Sequence, residues 1–210
     1  MKTPDNPELQ IRAAEVEECI ASAQARSNVR QWALGASSVL LASGAVLAGG
    51  ALDDKTEVGY STAMVVMAAS GVIAASDTLR TRFKQHTQVS RFIDEAKNSG
   101  YDFKEHSNPR TANTGSYVYE DDFYPSSVLK STYHNASSAF LLSGGGMLFT
   151  MGLAETIPIQ PRLLLMFGAS TIGGGVLEAV NAYWHNQTSA SKYKAQVQNI
   201  VSNARPKTAE

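Results

Sequence analysis

Apolar and polar positions divide this chain into long blocks. Four blocks contain no charged residue, and they cover residues 32–52, 58–76, 135–154 and 163–177. The fourth continues to residue 182 if Glu178 is tolerated inside it. A helix of roughly 20 residues crosses a bilayer core, and no block alternates as a half-buried strand would. The pattern predicts an all-α integral membrane protein with four transmembrane helices.

The blocks repeat at an offset of 100 residues. Ala36-Ser37-Ser38-Val39-Leu40-Leu41-Ala42-Ser43-Gly44 returns as Ala136-Ser137-Ser138-Ala139-Phe140-Leu141-Leu142-Ser143-Gly144. Each copy holds two uncharged blocks joined by a short connector, which is the layout of a duplicated helical hairpin. Because each copy crosses the bilayer an even number of times, the two hairpins are expected to be parallel repeats.

The polar flanks predict further helices. Pro7 suits the first position of a helix, and an amphipathic stripe follows it at spacings of three and four residues. The stripe consists of Leu9, Ala13, Val16, Ile20 and Ala23. The second block is expected to continue as a helix through Phe83, Val89, Phe92, Ile93 and Ala96 and to end near Gly100. The fourth is expected to continue through Tyr193, Val197, Ile200 and Val201. We expect these extensions to pack with the N-terminal helix in a small cytosolic bundle.

Five segments follow from this organisation. They are an N-terminal amphipathic helix (1–31), a first transmembrane hairpin (32–79), a helix extension and loop (80–134), a second transmembrane hairpin (135–184) and a C-terminal helical tail (185–210). Basic residues flank the outer ends of the blocks, namely Arg26, Arg30, Arg80, Arg82, Lys84, Arg91, Lys130, Lys192 and Lys194. The connector at 53–57 is acidic, and the one at 155–162 is nearly neutral. The positive-inside rule therefore places both termini and the middle segment in the cytosol.

Small residues lie at helical spacing inside the blocks, where they allow two backbones to approach closely. The candidate helix-packing positions are Gly35, Ser43, Gly44, Gly144, Gly152, Gly168 and Gly175. Packing within each hairpin is one use of these positions, and self-association into an oligomer, with or without a pore, is the other. Both interpretations stay open at the level of the sequence.

Two acids lie where the even-numbered blocks end. Asp77 follows the second block and Glu178 lies near the end of the fourth. An acid inside a membrane segment is a candidate functional residue, since burying its charge in lipid is costly. Both lie close to the expected cytosolic boundary, so we expect them to be interfacial and solvated rather than part of a transport path.

The segment between Tyr101 and Ser127 has no helical periodicity. Aromatic residues alternate there with acids, and the candidate partner-binding residues are Tyr117, Tyr119, Asp121, Phe123 and Tyr124. Such a segment suits a protein partner that has a basic rim and apolar pockets. The simpler interpretation is a surface loop held by its aromatic side chains.

Composition and motif content narrow the classes of function that the chain can have. The net charge of −1 gives no basic face for nucleic acid, and the lone Cys19 excludes an internal disulfide. His86, His106, His134 and His185 are dispersed without the spacing of a metal site, and no nucleophile elbow or phosphate loop is present. We therefore expect no enzymatic activity, no catalytic residues, no cofactor and no metal.

The layout resembles two groups of membrane proteins in topology over residues 32–184. Reticulon-type proteins carry two hydrophobic hairpins around a cytosolic stretch, although their hairpins are shorter wedges. Bacterial effectors such as chlamydial inclusion-membrane proteins insert paired hydrophobic lobes into host membranes. The resemblance implies a protein that shapes a membrane or presents cytosolic segments, and it carries no matched functional residues.

Three hypotheses of function follow. The first is a non-enzymatic multi-pass membrane protein that organises a membrane or recruits a protein partner, for example as a secreted bacterial effector. The second is an oligomeric channel or small transporter that uses the small-residue faces. The third is a soluble helical bundle that buries its hydrophobic hairpins. The expected partners are thus the lipid bilayer, a protein bound by the cytosolic segments and further copies of the chain.

Overall fold

The computed structural model describes residues 7–51, 56–102, 125–154, 160–203 and 205–206. Four long helices make up nearly all of this part of the chain. They are α1 (Pro7–Ala51), α2 (Thr56–Asn98), α3 (Pro125–Leu153) and α4 (Pro161–Asn203). All four are long and apolar enough to cross a membrane. The predicted all-helical architecture, with four helices that are long and apolar enough to span a membrane, is therefore confirmed.

Helix ends follow local chemistry. Pro7 opens α1 as predicted, since a proline at the first helical position gives up a donor that has no partner there. α2 ends at Asn98, and Gly100 follows with a φ of 82°, a left-handed conformation that glycine adopts without strain. α3 begins at Pro125, so its first three residues lie inside the stretch where the sequence showed no helical periodicity. Proline again supplies the start signal.

Among the described residues, the strands are limited to one short antiparallel pair. β1 (Tyr101–Asp102) pairs with β2 (Arg205–Pro206), with Tyr101 opposite Pro206. The pair joins the chain just after α2 to the chain just after α4. No sequence pattern predicted it, because two residues are too few to show alternation.

The chain divides into two compact units. Unit 1 consists of Met1–Arg26, Arg80–Leu129 and His185–Glu210, and unit 2 consists of Ser27–Leu79 and Lys130–Trp184. All four helices contribute residues to both units, α3 with residues 125–129 in unit 1. Each unit has a core of its own, and the two cores differ in the size of the side chains that they bury.

Unit 1 has an apolar core of large side chains. The residues that share it are Leu9, Ala13, Ile20, Val89, Phe92, Ile93, Ala96, Ala190, Tyr193, Val197 and Ile200. Most of the predicted N-terminal stripe and of the predicted extensions of α2 and α4 is buried here, with Val16 and Val201 partly buried, so these three segments pack together. Phe83 lies outside this core, because it is 54% exposed. The buried face of α2 runs through positions 82, 85, 89, 92 and 96, and residue 83 lies beside this face.

Unit 2 contains antiparallel helix pairs. Near one end of the α1–α2 pair, Ser27 donates a hydrogen bond to Asp77, and toward the other end Gly59 lies against Gly49. α3 pairs in the same way with α4, and it also contacts α1 and α2. Correspondingly, 44% of the most apolar stretch of α3 is buried, against 22–28% in the other three helices. α3 is therefore the central helix of unit 2.

Candidate functional site

Unit 2 packs small residues inside and large apolar residues outside. Alanine, serine and threonine supply much of its interior, which includes Ser38, Ala42, Ala63, Ser70, Ala74, Thr78, Ala139, Ser143 and Ala182. Large apolar side chains point outward from the same helices, and Leu40, Val65, Val72, Met166, Phe167 and Leu177 are each more than 60% exposed. This arrangement is the reverse of unit 1. It suits helices surrounded by lipid, where close backbone contact replaces the hydrophobic effect as the source of association.

Glycines bring the helices of unit 2 together. A Cβ atom on Gly168 would lie 2.5 Å from the backbone nitrogen of Phe149, and one on Gly175 would lie 2.8 Å from Leu142. Gly152 is similarly close to Leu165. These contacts join α3 to α4, so a side chain at any of the three glycines would push the two helices apart.

The remaining predicted packing positions fall into two groups. Gly35 faces Leu142, Gly144 faces the sulfur of Met67, and the Ser43 hydroxyl donates to the carbonyl oxygen of Gly146. Gly44 differs from all of them, since a Cβ there would have nothing within 4 Å. Six of the seven positions therefore take part in contacts inside unit 2, and Gly44 is open on its surface.

Several hydroxyls inside unit 2 are satisfied by backbone carbonyls and by one another, whereas that of Thr132 is buried without a partner among the described residues. Ser70 lies within hydrogen-bond distance of Ser143 at 3.2 Å and also of the carbonyl oxygens of Met67 and Ala139. Ser38 donates to the carbonyl oxygen of Gly35. These bonds allow polar side chains to be buried at little cost and join α2 to α3.

Both predicted boundary acids are paired. Asp77 accepts a bond from Arg30 at 2.9 Å through Oδ1 and one from Ser27 at 3.4 Å through Oδ2. Its side chain is 24% exposed, so it is neither fully buried nor freely solvated. Glu178 lies against Nδ1 of His134, which links α4 to α3. Each helix pair of unit 2 thus contains one acid on its second helix and one basic side chain on its first.

A cavity of about 190 Å³ adjoins the Asp77–Arg30 pair. Thr78 forms part of its wall, and its hydroxyl donates to the carbonyl oxygen of Ala74. That hydroxyl must therefore accept the bond from the Asn135 side chain, which fixes Nδ2 of the amide as the donor. The whole lining consists of Ser27, Arg30, Gln31, Leu34, Ile73, Ala74, Asp77, Thr78 and Asn135.

Two residues of this lining each carry a buried polar atom that has no hydrogen bond to any described residue. The atoms are Oδ1 of Asn135, a side chain that is 2% exposed, and Nε2 of Gln31. Buried polar groups are nearly always bonded, so these two atoms are exceptions within unit 2.

Unit 1 has a buried polar network centred on Arg82, which is 1% exposed. Its guanidinium donates to Oε1 of Gln85 and to Oδ1 of Asn186, and Gln85 in turn bonds to Gln24 and to the carbonyl oxygen of Ile20. Burial lowers the pKa of Arg82 to about 10, which still leaves the side chain charged at neutral pH. The network joins α1, α2 and α4 within unit 1.

Sequence reasoning missed the most informative of these residues. Gln31, Asn135 and Asn186 are single uncharged polar residues, and nothing in their spacing distinguishes them from surface residues. Arg82 was placed among the flanking charges, but its side chain is buried. Its position one turn before Gln85 on the buried face of α2 was the available signal.

The aromatic and acidic positions predicted to bind a partner, residues 117–124, lie outside the described residues and stay a prediction. No group of three or more His, Cys, Asp or Glu side chains in the described ranges could hold a metal ion. Comparison with protein-family models, with curated proteins and with solved structures found no match for this chain.

Proposed function

We propose that this protein is a non-enzymatic multi-pass membrane protein whose four helices cross the bilayer through unit 2. The polar segments that form unit 1 would then organise the membrane surface or recruit a protein partner. The observation that carries the proposal is the opposite packing of the two units. Unit 1 buries most of its large apolar side chains, whereas unit 2 buries a few, Val46, Met151 and Leu164, exposes most of the others and fills much of its interior with alanine, glycine and serine.

Solvation energies explain why this contrast favours a membrane. Leaving a large aliphatic or aromatic side chain in water costs about 1.5–3 kcal/mol relative to burying it. Leu40, Val65 and Phe167 are three of many such side chains on unit 2, so the cumulative cost in water would exceed the stability of most domains. Lipid removes this cost, because its tails are as apolar as the side chains themselves.

The charge pattern supports an orientation. The blocks that form unit 2 are flanked by arginines and lysines at their outer ends and by acidic or neutral connectors between them. Both chain termini and residues 80–134 would then lie in the cytosol. Trp32 and Trp184 are exposed close to the ends of the uncharged blocks, where aromatic rings favour the membrane interface.

The surface of unit 1 supports the recruitment of a partner. A groove of about 400 Å³ is lined by the charged side chains of Arg12 and Glu95 and the partly buried Tyr101, together with the core residues Leu9 and Phe92, which are 7% and 1% exposed. Apolar contacts next to charges of both signs are typical of protein-binding surfaces. An oligomeric channel is a separate candidate, favoured by the open position of Gly44 on the surface of unit 2.

Carbonate extraction combined with cysteine labelling tests the membrane proposal. Cys19 is the natural cysteine, and further single-cysteine variants, made in a Cys19→Ala background, place the label in each connector. In sealed vesicles with the cytosolic face outward, an impermeant maleimide should label Cys19 but neither residue 54 nor residue 156. Recovery of the chain in the carbonate supernatant would instead establish the soluble bundle.

A further inference from the structure

One helix contact of unit 2 has a counterpart in the sequence that the chain does not make with itself. In the α2–α3 contact, a Cβ on Gly144 would lie 2.8 Å from the sulfur of Met67. A second Cβ, on Gly71, would lie 3.8 Å from the Cβ of Phe140. At the sequence offset of 100 residues, the counterparts of Gly144, Met67, Phe140 and Gly71 are Gly44, Phe167, Leu40 and Thr171.

Both halves of the counterpart are open. On α1, a Cβ on Gly44 would meet nothing within 4 Å, and Leu40 is 72% exposed. On α4, Phe167 is 62% exposed and the neighbouring Ser170 is exposed as well. A glycine on one helix and a large apolar side chain on the other are the two components with which α3 and α2 pack closely inside the chain.

We propose that this protein associates with a second copy of itself through these two faces. α1 of one copy packs against α4 of the other, as α3 packs against α2 within the chain. The side chain of Phe167 lies over Gly44 of the neighbouring copy, and Leu40 lies beside Thr171. The inference rests on the proposed membrane function, because a bilayer gives both copies the same orientation and depth.

The directions of the helices allow this contact. α1 runs antiparallel to α2, α2 to α3 and α3 to α4. α1 and α4 therefore run in opposite directions, as α2 and α3 do. Two copies inserted in the same orientation can thus repeat the antiparallel geometry of the internal contact.

The depths of the two faces also match. A Cβ on Gly146 of α3 would lie 2.9 Å from Val39 of α1, and one on the preceding glycine would lie 2.7 Å from Ile172 of α4. Val39 and Ile172 are therefore nearly level along α3. Leu40 and Thr171 adjoin these two residues in the sequence, so copies inserted to the same depth bring them to one level.

α3 of the same chain covers only part of this side of α1. Ser43 donates to the carbonyl oxygen of Gly146, so its counterpart's contact with α2 is not repeated. The part of α1 that stays exposed is a row at spacings of four residues, which places its members on one side of the helix. The row consists of Ala36, Leu40 and Gly44, the counterparts of the residues through which α3 contacts Gly71 and Met67.

Disulfide cross-linking in proteoliposomes tests the proposal. The spacing of 3.8 Å between the Cβ positions of Gly71 and Phe140 is the usual one for a disulfide, so their counterparts are suitable sites for cysteines. Two full-length chains, one with Leu40→Cys and one with Thr171→Cys, are made in a Cys19→Ala background with different epitope tags. They are mixed before reconstitution and then oxidised. We expect a dimer that carries both tags from the mixture, and monomer from either chain alone.

Matched variants separate this interface from chance collisions. Val65→Cys is on the exposed side of α2, and it should give no dimer with Thr171→Cys. Gly44→Leu, added to the Leu40→Cys chain, should reduce the mixed dimer about tenfold, since overpacking a helix contact shifts an association equilibrium by at least that factor. Gly173→Leu places the same side chain at another open glycine, about 120° around α4 from Phe167, and should leave the dimer unchanged.

Three results would overturn the inference. An equally strong dimer from the Leu40→Cys chain alone would show that α1 pairs with α1. A mixed dimer that Gly44→Leu leaves unchanged, in a protein with the helicity of the wild type, would come from collisions. Absence of a mixed dimer in a chain that resists carbonate extraction would contradict this inference alone, whereas recovery of the chain in the supernatant would contradict the membrane proposal as well.

Discussion

Arg82 lies on the buried face of α2 in unit 1, at a position where an apolar side chain would be expected. The next residue, Phe83, points outward, so the helix buries a charge where a shift of one position would have buried an aromatic ring. The buried guanidinium donates to two amide oxygens on different segments, Gln85 and Asn186. Such a bond network fixes the rotation of α2 relative to α4 in a way that apolar contacts alone do not.

Arg82→Ala should destabilise the protein because it leaves two buried amide oxygens without these donors. We expect a loss of about 2 kcal/mol, which lowers the thermal midpoint by roughly 4–8 °C for a chain of this size. Thermal unfolding in detergent, followed by circular dichroism, provides the measurement. Arg80→Ala removes an exposed arginine two residues away and is the matched control. Equal midpoints for the two variants would show that the network contributes nothing to stability.

Single residues also mark the limit of what the sequence could predict. The N-terminal stripe was predictable from Leu9 to Ala23 because several residues repeat at helical spacing. Asn135 and Gln31 belong to no repeat, and their role depends on which side chains three different helices bring to one cavity. The sequence identified Asp77 as a candidate, but it could not identify Arg30 and Ser27 as its partners.

At the level of elements, α3 has the composition of a central helix. Gly144, Gly145 and Gly146 are consecutive, and a Cβ on each would lie within 3 Å of a different neighbour, on α2, α4 and α1 respectively. Three successive residues of a helix point in three directions about 100° apart, so three glycines in a row open three faces at once. The triplet of α3 therefore lies where three other helices approach, whereas in the triplet Gly173-Gly174-Gly175 of α4 a Cβ on Gly173 would meet nothing within 4 Å.

Gly168→Ala tests the close approach of α4 to α3. The new methyl group would meet the Phe149 backbone, which cannot rotate away as a side chain could. Overpacking of this kind costs about 1–3 kcal/mol, and the thermal midpoint in detergent should fall accordingly. Gly173→Ala lies on the same helix with nothing within 4 Å, so its midpoint should stay unchanged or rise slightly. A fall of the same size in both variants would contradict this packing.

Gly44→Leu tests self-association separately from folding. The site is open, so the larger side chain should leave the thermal midpoint within about 1–2 °C of the wild type, a difference below about 0.5 kcal/mol. Gly144→Leu would collide with Met67 inside unit 2 and should lower the midpoint clearly. If the open face of α1 joins copies into a channel, then Gly44→Leu alone should abolish ion flux in liposomes while the protein stays folded. Unchanged flux, or none in the wild type, would contradict the channel hypothesis.

Helix lengths were only partly predictable. The sequence separated an amphipathic helix over residues 1–31 from a membrane span that begins at Trp32, whereas α1 runs without a break from Pro7 to Ala51. No glycine or proline lies between Leu9 and Leu34, so the backbone has no reason to stop where the side-chain composition changes. Hydropathy predicts the surroundings of a helix better than it predicts where the helix ends.

For the whole molecule, exposed apolar residues have different meanings in the two units. Ile11 on unit 1 and Val65 on unit 2 are similarly exposed, at 61% and 67%. We expect Val65→Lys to reduce membrane integration, since a lysine within a span costs about 2.5–3.5 kcal/mol, and Ile11→Lys to leave it unchanged. The fraction of each variant that resists carbonate extraction provides the measurement. In a soluble bundle, both substitutions would only increase solubility.

The opposite packing of the two units has a consequence for their response to temperature. Unfolding exposes apolar surface to water, and this exposure produces the large positive heat capacity change of ordinary domains. The apolar core of unit 1 would produce this heat capacity change. If unit 2 spans the bilayer as proposed, its outer side chains would contact lipid or detergent both before and after its helices separate. Curvature in the stability of this protein should therefore come from unit 1. Cooling would weaken the bundle centred on Ile20 and Phe92 and leave the glycine contacts of α3 almost unaffected.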